Sequence, residues 1–576
     1  DNDQRCVLLG VRGWTDGGWN WETALLYSRA RSTDTQQGGL TDAFITAVNR
    51  TDAGAYNPFS GGDTASIRLG DATPYDPPAF IGEATPEGTT ELALWDFKIN
   101  RSDLFTWYAG DIGLAAGVEY RYESREDDRD ENIDGSRPYT DWYTGTVAAS
   151  NFFTHSPRPD VRGSRNVKSA LIELAVPLVS PAQGIPLVQS LDLQLAGRWE
   201  DYSDAGKVAK PKLAAAWKVN DSLLLRGSVS GGFRAPGLEL VNSPPTYGFG
   251  FNNDAIRCHA LITKGAQPDY STCLNAYSSG SSVKPSVSAV TSYGDEVKPE
   301  TTRQSSWGAV FEPQFLPEAL GSISLSVDAW RVQVENPINT LGEELLYDAY
   351  LRVVEGSSNP NVVRAEVTAE DTALFAGSGL APAGVVTHVY NRYQNRRPLT
   401  ASGVDYNFTW RLRETAWGNV AFLLSVSQLK EYTQQKPAEV QQVAAAIANG
   451  QLNIIAPDLG AANEVGINGA KPEWRASATL IWNLQDWTVR LRDDYIDSVT
   501  AGAYADRTPF VVGSTQRWAL SVKKEFNRGR LKGTAVEVGA RNLFNEEPPL
   551  NATGSYLSAL HETYGRYVHL GISKNW

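Results

Sequence analysis

An acidic stretch has the clearest spacing for a metal site. Residues 130–141 read D-E-N-I-D-G-S-R-P-Y-T-D. Asp130, Asn132, Asp134 and Asp141 match ligand positions of an EF-hand loop, and Gly135 stands where that loop turns sharply. However, the last position is Asp rather than the longer Glu, no helical pattern flanks the stretch, and neighbouring arginines reduce the local negative charge. A structural Ca²⁺ is one prediction, an ordinary solvated acidic loop is the alternative, and we expect no other cofactor.

Catalytic chemistry finds little support in the sequence. The histidines show no metal-ligand spacing; they are His155, His259, His388, His561 and His569. No G-x-S-x-G, Walker or G-x-G-x-x-G motif joins a strand to a helix. The paired acids Glu546 and Glu547 lie beside two prolines in a loop. We therefore expect that the protein is not an enzyme.

The chain is organised by strict alternation of apolar and polar residues, which is the period of a β-strand. Residues 404–413 read V-D-Y-N-F-T-W-R-L-R, and residues 112–123 and 567–576 alternate in the same way. Each such strand has one apolar face and one charged face. Charges inside a small sandwich would need costly burial. A wide barrel with lipid outside and water inside accepts both faces, so the sequence predicts an all-β, antiparallel transmembrane barrel.

Short and long connections alternate along the chain. Short turns are predicted at residues 15–18, 108–111, 180–185, 220–221, 313–321, 414–418, 484–486 and 527–530, and long loops at 32–89, 127–165, 233–303, 338–401 and 431–470. Outer-membrane barrels have short periplasmic turns and long extracellular loops. The pattern gives about seventeen strands, the first starting on the long-loop side. A slip of the alternation near Ala329 and Trp330 predicts a β-bulge.

The amino-acid composition limits the classes of partner and the surroundings that suit this chain. No apolar run approaches the roughly 18 residues that a membrane-spanning helix needs, so insertion in lipid requires a closed barrel. The net charge of −14 argues against a nucleic-acid partner. Several soluble domains are the alternative for a chain with 41% hydrophobic and 20% charged residues. The chain has no signal peptide and no Met, and we expect a processed or trimmed N-terminus.

Several motifs occur in the order typical of one family. They are R-W-E-D-Y-S-D at 198–204, G-G-F-R-A-P-G-L-E-L at 231–240, V-K-P-E-T-T-R-Q-S-S-W-G-A-V-F-E at 297–312, S-G-V-D-Y at 402–406, A-R-N-L-F-N-E-E-P-P at 540–549 and Y-G-R-Y-V-H-L-G-I at 564–572. Over nearly its whole length the chain resembles the C-terminal barrel of TonB-dependent outer-membrane transporters.

This resemblance implies a barrel of twenty-two strands, filled by an N-terminal plug that carries a TonB box. We expect residues 1–576 to be the C-terminal part, with the plug, the TonB box and about five strands outside this sequence. The implied location is the outer membrane of a Gram-negative bacterium. The implied partners are outer-membrane lipid, the TonB–ExbB–ExbD complex through the N-terminal region, and the barrel-assembly machinery. That machinery reads a terminal aromatic residue, usually Phe, and Trp576 is expected to serve here.

Phe233, Arg234 and Pro236 form the sharpest motif, at the point where a strand enters the longest loop. One hypothesis is that Arg234, beside Phe233, contacts a plug or a ligand at the barrel mouth. The alternative is that Arg234 holds the loop base through a charge-assisted bond, while Pro236 ends the strand.

Aromatic residues divide into two groups. Those around the short turns, such as Trp14, Trp107 and Trp487, are expected at the lipid interface. Those in the long loops are candidate ligand contacts, since aromatic faces stack on sugar rings and other ligands; the candidates include Tyr247, Phe249, Phe251, Tyr270, Tyr390 and Tyr393.

Two cysteines, Cys258 and Cys273, lie fifteen positions apart in the longest loop. In an oxidising compartment such a pair usually forms a disulfide, which stabilises a loop of that size by up to about 3 kcal/mol. Neither a C-x-x-C motif nor a ligand-rich neighbourhood supports a redox or metal role. Cys6 remains as a small packing residue.

The hypothesis for function is TonB-driven uptake of a scarce ligand too large for passive pores. A ferric siderophore is preferred because the family often carries one, while an oligosaccharide, a cobalamin or haem are alternatives. Scarce histidine in the loops weighs against haem. A passive porin and an adhesin-type binding protein remain the rival classes.

Overall fold

The structure of the chain is a computed structural model. It describes residues 1–52, 56, 80–140, 147–148, 150–152, 157–293, 297–454, 463–467, 471–503 and 508–575. The strands of this part are numbered β1–β28 and the helices α1–α7, in chain order. His155, Asp141 and Trp576 lie outside the described residues, so the calcium position at 141 and the terminal aromatic signal stay predictions.

One antiparallel sheet of seventeen strands dominates the structure, and along it each strand pairs with the next. Its strands are β1 Asn2–Trp14, β2 Asn20–Thr33, β5 Glu87–Trp107, β6 Gly110–Asp128, β9 Val161–Val179, β10 Ser190–Tyr202, β11 Gly206–Asn220, β12 Leu223–Arg234, β15 Glu300–Phe311, β16 Ser322–Glu335, β20 Leu399–Thr415, β21 Gly418–Gln434, β22 Trp474–Leu484, β23 Trp487–Ile496, β26 Thr515–Phe526, β27 Thr534–Arg541 and β28 Tyr567–Lys574.

Smaller elements fill the connections. The remaining strands are β3 Gln36–Gly39, β4 Ile81–Ala84, β7 Tyr139–Thr140, β8 Val147–Ala148, β13 Thr246–Phe251, β14 Ser286–Tyr293, β17 Ile338–Asn339, β18 Val362–Arg364, β19 Val386–Asn395, β24 Val499–Ala503 and β25 Pro509–Val512. The helices are α1 Thr41–Val48, α2 Leu238–Asn242, α3 Ala255–Thr263, α4 Tyr270–Ala276, α5 Glu344–Tyr350, α6 Ala369–Phe375 and α7 Ala438–Ala448. Short 3₁₀ turns lie at Pro181–Gln183, Glu318–Leu320 and Gly529–Leu531, and a π-helical turn at Leu351–Glu355. No helix in the described part is long and apolar enough to cross a membrane.

The connections give the sheet two different ends. Each of the eight predicted short turns lies between neighbouring strands of the large sheet, and the predicted long segments lie at the opposite end. Two further loops at that end, residues 497–514 and 542–566, and a tight turn at 203–205 were not predicted. The predicted bulge near Ala329 and Trp330 is wrong, because β16 keeps continuous register with both neighbours.

The two edges of the sheet are β1 and β28. Within the described ranges β1 pairs with β2 and β28 with β27, and no pairing joins one edge to the other. Closure of the sheet and a total of twenty-two strands therefore stay predictions.

Alternation gives the sheet an apolar face and a polar face. Leu195 of β10 pairs with Leu213 of β11, which pairs with Val229 of β12, and all three side chains are more than 40% exposed. The opposite phase carries ion pairs instead: Arg121–Glu119, Arg165–Glu123, Arg198–Glu200 and Arg226–Asp328. A continuous exposed apolar band would be costly in water and suits lipid.

The largest buried core lies in the loops rather than in the sheet. It is formed by side chains of α3, α4, α5, α6 and α7 together with the segments beside them. We call residues 246–293, 338–395 and 438–454 the cap. Among the residues that the structure describes, the sheet has no comparable core, because one of its faces is apolar and exposed while the other is polar.

We predict that the two faces respond differently to the same charge. Leu195→Arg places a cation on the apolar face near the middle of β10 and should cost about 2–4 kcal/mol in a bilayer. Gln194→Arg, one residue away on the polar face and beside Glu173, should be tolerated. Urea unfolding of the full-length protein in lipid vesicles measures both variants. Equal effects would show that Leu195 does not face lipid.

Candidate functional site

Arg234 lies at the base of the longest loop. Its guanidinium Nε is 2.7 Å from a carboxylate oxygen of Glu300, which is buried, while the Arg234 side chain is exposed. The other Glu300 oxygen accepts a hydrogen bond from the backbone N–H of Ile338 at 2.8 Å. Phe233 packs against Tyr202, with ring centroids 5.3 Å apart. This geometry supports the interpretation that Arg234 holds the base of the loop. The ion pair between Arg234 and Glu300 joins β12 to β15, and the hydrogen bond from Ile338 to Glu300 joins β15 to the next long loop.

The cap is tied together covalently at one point. Cys258 on α3 and Cys273 on α4 form a disulfide, with an S–S distance of 2.04 Å, and both residues are fully buried. His259, next to Cys258, accepts a hydrogen bond at Nδ1 from the backbone N–H of Asn453 at 2.9 Å. The bond connects the 235–299 loop to the 435–473 loop. Burial lowers the pKa of His259, which favours the neutral acceptor form.

A buried ionic network connects the 235–299 loop to the 336–398 loop. Arg257 bonds Asp371 and also donates to the backbone carbonyl of Ala383 at 2.9 Å. Arg364 contacts Asp254 at 2.6 Å and Asp348 at 2.8 Å. Arg257 is 1% exposed and Arg364 is 6% exposed. Buried charges are tolerated only when paired and hydrogen-bonded, so these contacts fix how the two loops pack.

The network also determines the protonation states of the Asp371 carboxylate and the Arg364 guanidinium. Burial alone would raise the pKa of Asp371, but hydrogen bonds from Arg257 and Thr368 lower it overall. Burial alone would lower the pKa of Arg364, but Asp254 and Asp348 raise it overall. Both groups are therefore charged at neutral pH. Thr368 and Asp371 form a reciprocal cap at the start of α6.

Several aromatic side chains of the loops lie on one face of the small sheet that β13, β14 and β19 form in the cap. Tyr247 pairs with Val290, which pairs with Tyr390, so the three side chains lie in one row. Phe251, four residues after Tyr247 on β13, lies on the same face. Tyr247 and Phe251 are exposed and Tyr390 is half-buried. These three residues form the aromatic face of the cap, a surface on which a ligand could stack.

The other predicted aromatics lie elsewhere. Tyr270 is buried in the cap core on α4, and burial raises its pKa to about 12. Its prediction as a ligand contact is wrong, because α4 directs it against the other cap helices. Tyr393, three residues after Tyr390, lies on the opposite face of β19. The backbone of Phe249 belongs to β13, but its side chain is outside the described part.

In the acidic loop, protein donors satisfy the candidate calcium ligands. Asp130 accepts hydrogen bonds from the backbone N–H groups of Thr85 and Asn132, and Asp134 accepts one from Ser136. The amide oxygen of Asn132 accepts from Asn151. Within the described residues no group of three His, Cys, Asp or Glu side chains could hold a metal ion. Calcium in this loop stays a prediction.

One polar cluster was missed by sequence reasoning. Arg490, Arg517, Arg541 and His561 line one cavity, which extends along the polar face of β23, β26 and β27 to the 542–566 loop. The alternation of Arg490 and Arg492 with Val489 and Leu491 was the available signal. The pairing of β23 with β26 and β27, which gathers these side chains, is not visible in any one segment.

An antiparallel sheet with an exposed apolar face, a charged face, short turns at one end and long loops at the other is the arrangement of outer-membrane β-barrels. A family model described as "TonB dependent receptor-like, beta-barrel" matches residues 10–543. The chain therefore belongs to this family, whose members are transporters rather than enzymes. No curated protein sequence matches the chain.

Solved structures support the fold. The siderophore receptor PirA from Acinetobacter baumannii aligns with a TM-score of 0.55 and 13% identity, over 99% of this chain and 62% of that chain. A mutant ferric enterobactin receptor from Pseudomonas aeruginosa aligns at 0.56 and 12%, over 99% and 61%. The ferripyoverdine receptor of the same organism aligns at 0.53 and 11%, over 99% and 56%. The chain thus spans about 60% of the length of these receptors.

We predict that the buried ionic network holds the cap closed. Arg364→Met leaves Asp254 and Asp348 without their strongest partner and should reduce the free energy of cap opening by about 3–5 kcal/mol. Arg352→Met is the matched control, since Arg352 also bonds Asp348, at 2.9 Å, but is 24% exposed. Hydrogen exchange of residues 254–263 and 344–355 measures both. Similar protection in the two variants would contradict a stabilising role for the buried pair.

Proposed function

We propose that the protein takes up a ferric siderophore across the outer membrane of a Gram-negative bacterium, driven by TonB. The observation that carries the proposal is the family match over residues 10–543 on a sheet with one face suited to lipid. The long loops form the capture surface, and the polar face lines the path. In this mechanism the protein changes conformation and breaks no bond in the ligand.

We further propose that the rest of the protein supplies the plug, the TonB box and the strands that close the sheet. Two observations support this proposal: no pairing joins β1 to β28 among the described residues, and the chain spans about 60% of the related receptors. TonB–ExbB–ExbD would act on the plug, and lipid would cover the apolar face. The barrel-assembly machinery would read the terminal Trp576.

A siderophore is favoured over other cargo by the nature of the structural neighbours. Those proteins are described as a siderophore receptor, a ferric enterobactin receptor and a ferripyoverdine receptor bound to ferripyoverdine. An oligosaccharide is the second candidate, since the aromatic face of Tyr247, Phe251 and Tyr390 could stack on sugar rings. Among the described residues no specific contact favours cobalamin or haem.

We predict energy-dependent iron uptake. Cells that express the full-length protein should accumulate radio-iron from ferric siderophores, and deletion of TonB should abolish accumulation while cell-surface binding persists. A labelled oligosaccharide serves as the second cargo. Solute flux that does not need TonB would favour a porin. Tight binding with no uptake of either cargo would favour an adhesin, and both outcomes would contradict the proposal.

We also predict that the aromatic face contacts the transported ligand. The double change Tyr247→Ala with Phe251→Ala should weaken binding at least tenfold, about 1.4 kcal/mol, because two exposed rings are lost. Tyr393→Ala is the control, since it removes a ring from the other face of the same sheet. Titration of the purified full-length protein with the ligand that is taken up measures both. Equal affinities would place the ligand elsewhere.

A further inference from the structure

A groove of about 740 Å³ crosses the apolar face of the large sheet, from β9 to β16. Its floor follows the cross-strand pairing from Leu174 through β10, β11 and β12 to Ser305 and Arg331. One half is apolar, and the side chains that form it are Ile172, Leu174, Leu195, Leu213 and Val229. The other half carries Arg303, Arg331 and Gln333. The groove therefore has an apolar end and a cationic end on one continuous surface.

The two ends of the groove lie at different heights in the sheet. Leu195 is five residues from the start of β10 at the short-turn end, whereas Arg331 is nine residues from the start of β16 at the same end. A strand that rises about 3.3 Å per residue with a tilt of about 40° climbs about 2.5 Å per residue. Leu195 then lies about 12 Å above the short-turn end and Arg331 about 22 Å, in an apolar band about 25 Å tall. The apolar end thus lies near the middle of a bilayer, and the arginines lie at the level of the lipid headgroups.

The arginines of the groove are accessible from the lipid side. Arg303 is exposed and forms no ion pair with any residue that the structure describes. Arg331 contacts Glu431 at 3.2 Å through Nη1, yet its side chain remains 54% exposed. Glu431 also accepts hydrogen bonds from Ser402 and Thr433. No carboxylate is among the described residues that line the groove, so its charge suits an anion.

The groove does not arise from the parts proposed to lie outside this chain. Four strands of the sheet, β1, β2, β5 and β6, lie on one side of it, and seven strands from β20 to β28 lie on the other. A closing strand would pair with β1 or β28, and a plug would fill the opposite, polar face. The groove and its arginines would therefore keep the same protein surroundings in a complete barrel.

Small residues keep the groove open. Gly197 of β10 pairs with Ile172 of β9, and a methyl group added at Gly197 would lie 4.0 Å from the Ile172 side chain. Pro211 and Ser305 line the same part of the groove. A larger side chain at Gly197 would therefore fit the strand without a clash and would occupy the groove.

We propose that this groove binds one molecule of an anionic lipid, with an acyl chain along the leucines and a headgroup phosphate on Arg303 and Arg331. Lipid chains are as apolar as the groove, so shape and charge rather than the hydrophobic effect select the occupant. Guanidinium groups bind phosphate oxygens through paired, charge-assisted hydrogen bonds. Basic clusters at the level of the headgroups bind anionic lipids for the same reason. The proposal concerns the lipid-facing surface and does not depend on the identity of the cargo.

The test is a titration of the purified full-length protein in detergent, with bound lipid counted by native mass spectrometry. The probes are dioleoyl phosphatidylglycerol, which is anionic, dioleoyl phosphatidylcholine, which has the same chains and no net charge, and inorganic phosphate. Phosphatidylglycerol should bind about tenfold more tightly than phosphatidylcholine, because its phosphate charge is not balanced within the headgroup. Arg303→Gln together with Arg331→Gln should remove this preference.

Arg29→Gln together with Arg31→Gln is the matched control. It removes two guanidinium groups from the same face, on β2 and away from the groove, where they pair with Glu91 and Glu87. Gly197→Leu, which fills the groove and leaves every charge in place, should weaken binding of phosphatidylglycerol about threefold. Heat-modifiable migration on gels verifies that each variant is assembled.

The outcomes separate the lipid site from the transport function. The proposal is overturned if the wild-type protein binds both lipids equally, or if the groove double variant binds phosphatidylglycerol as well as the control variant does. Displacement of the lipid by an equal concentration of inorganic phosphate would also overturn it, since the site would then recognise phosphate alone. Iron uptake enters none of these measurements. Failure of TonB-dependent uptake would therefore leave the lipid site standing, and loss of the lipid site would leave the proposed function standing.

Discussion

The pairing register of the large sheet is the constraint on which the rest of the structure depends. Each strand satisfies its backbone groups only through its neighbours, and side chains alternate between faces with a period of two. A slip of one residue in any pair would move leucines such as Leu195 to the polar face and charges such as Glu173 to the apolar face. Because seventeen strands keep this phase, the sheet presents two chemically distinct surfaces.

This constraint explains where the protein keeps its hydrophobic core. Apolar side chains of the sheet are directed to one face, so they cannot pack against the charged side chains of the other. Apolar residues of the loops, by contrast, have no lipid to contact. They fold on one another in the cap, where Ile256, Phe375 and Val443 are almost fully buried. The cap is thus organised like a small soluble domain, with a disulfide inside one loop and buried ion pairs between segments distant in sequence.

Features that depend on a few neighbouring residues, such as strands and short turns, could be predicted from the sequence. Features that depend on contacts between distant segments, such as burial and ion pairing in the cap, could not. Alternation and turn residues located several strands of the large sheet and all eight short turns, because both signals lie within a few residues, but the connections at 203–205, 497–514 and 542–566 were missed. The burial of Tyr270 could not be read from its neighbours in the chain, since it depends on helices about 75 to 175 positions away. The same holds for Arg257 with Asp371, 114 positions apart. At Ala329 and Trp330 the apparent slip was wrong, since cross-strand pairing overrides a local change of pattern.

The aromatic face of the cap and the charged polar face of the large sheet differ in how they can hold a ligand on the proposed path. An exposed aromatic face such as that of Tyr247 and Phe251 can hold a ligand in the presence of water, because stacking does not require desolvation of charge. Charged side chains of the polar face attract an oppositely charged ligand more strongly at low dielectric, but both groups must first lose their water, so the net gain of such a pair is small. A ligand on the proposed path would therefore be held in water mainly by contacts that leave its charged groups hydrated.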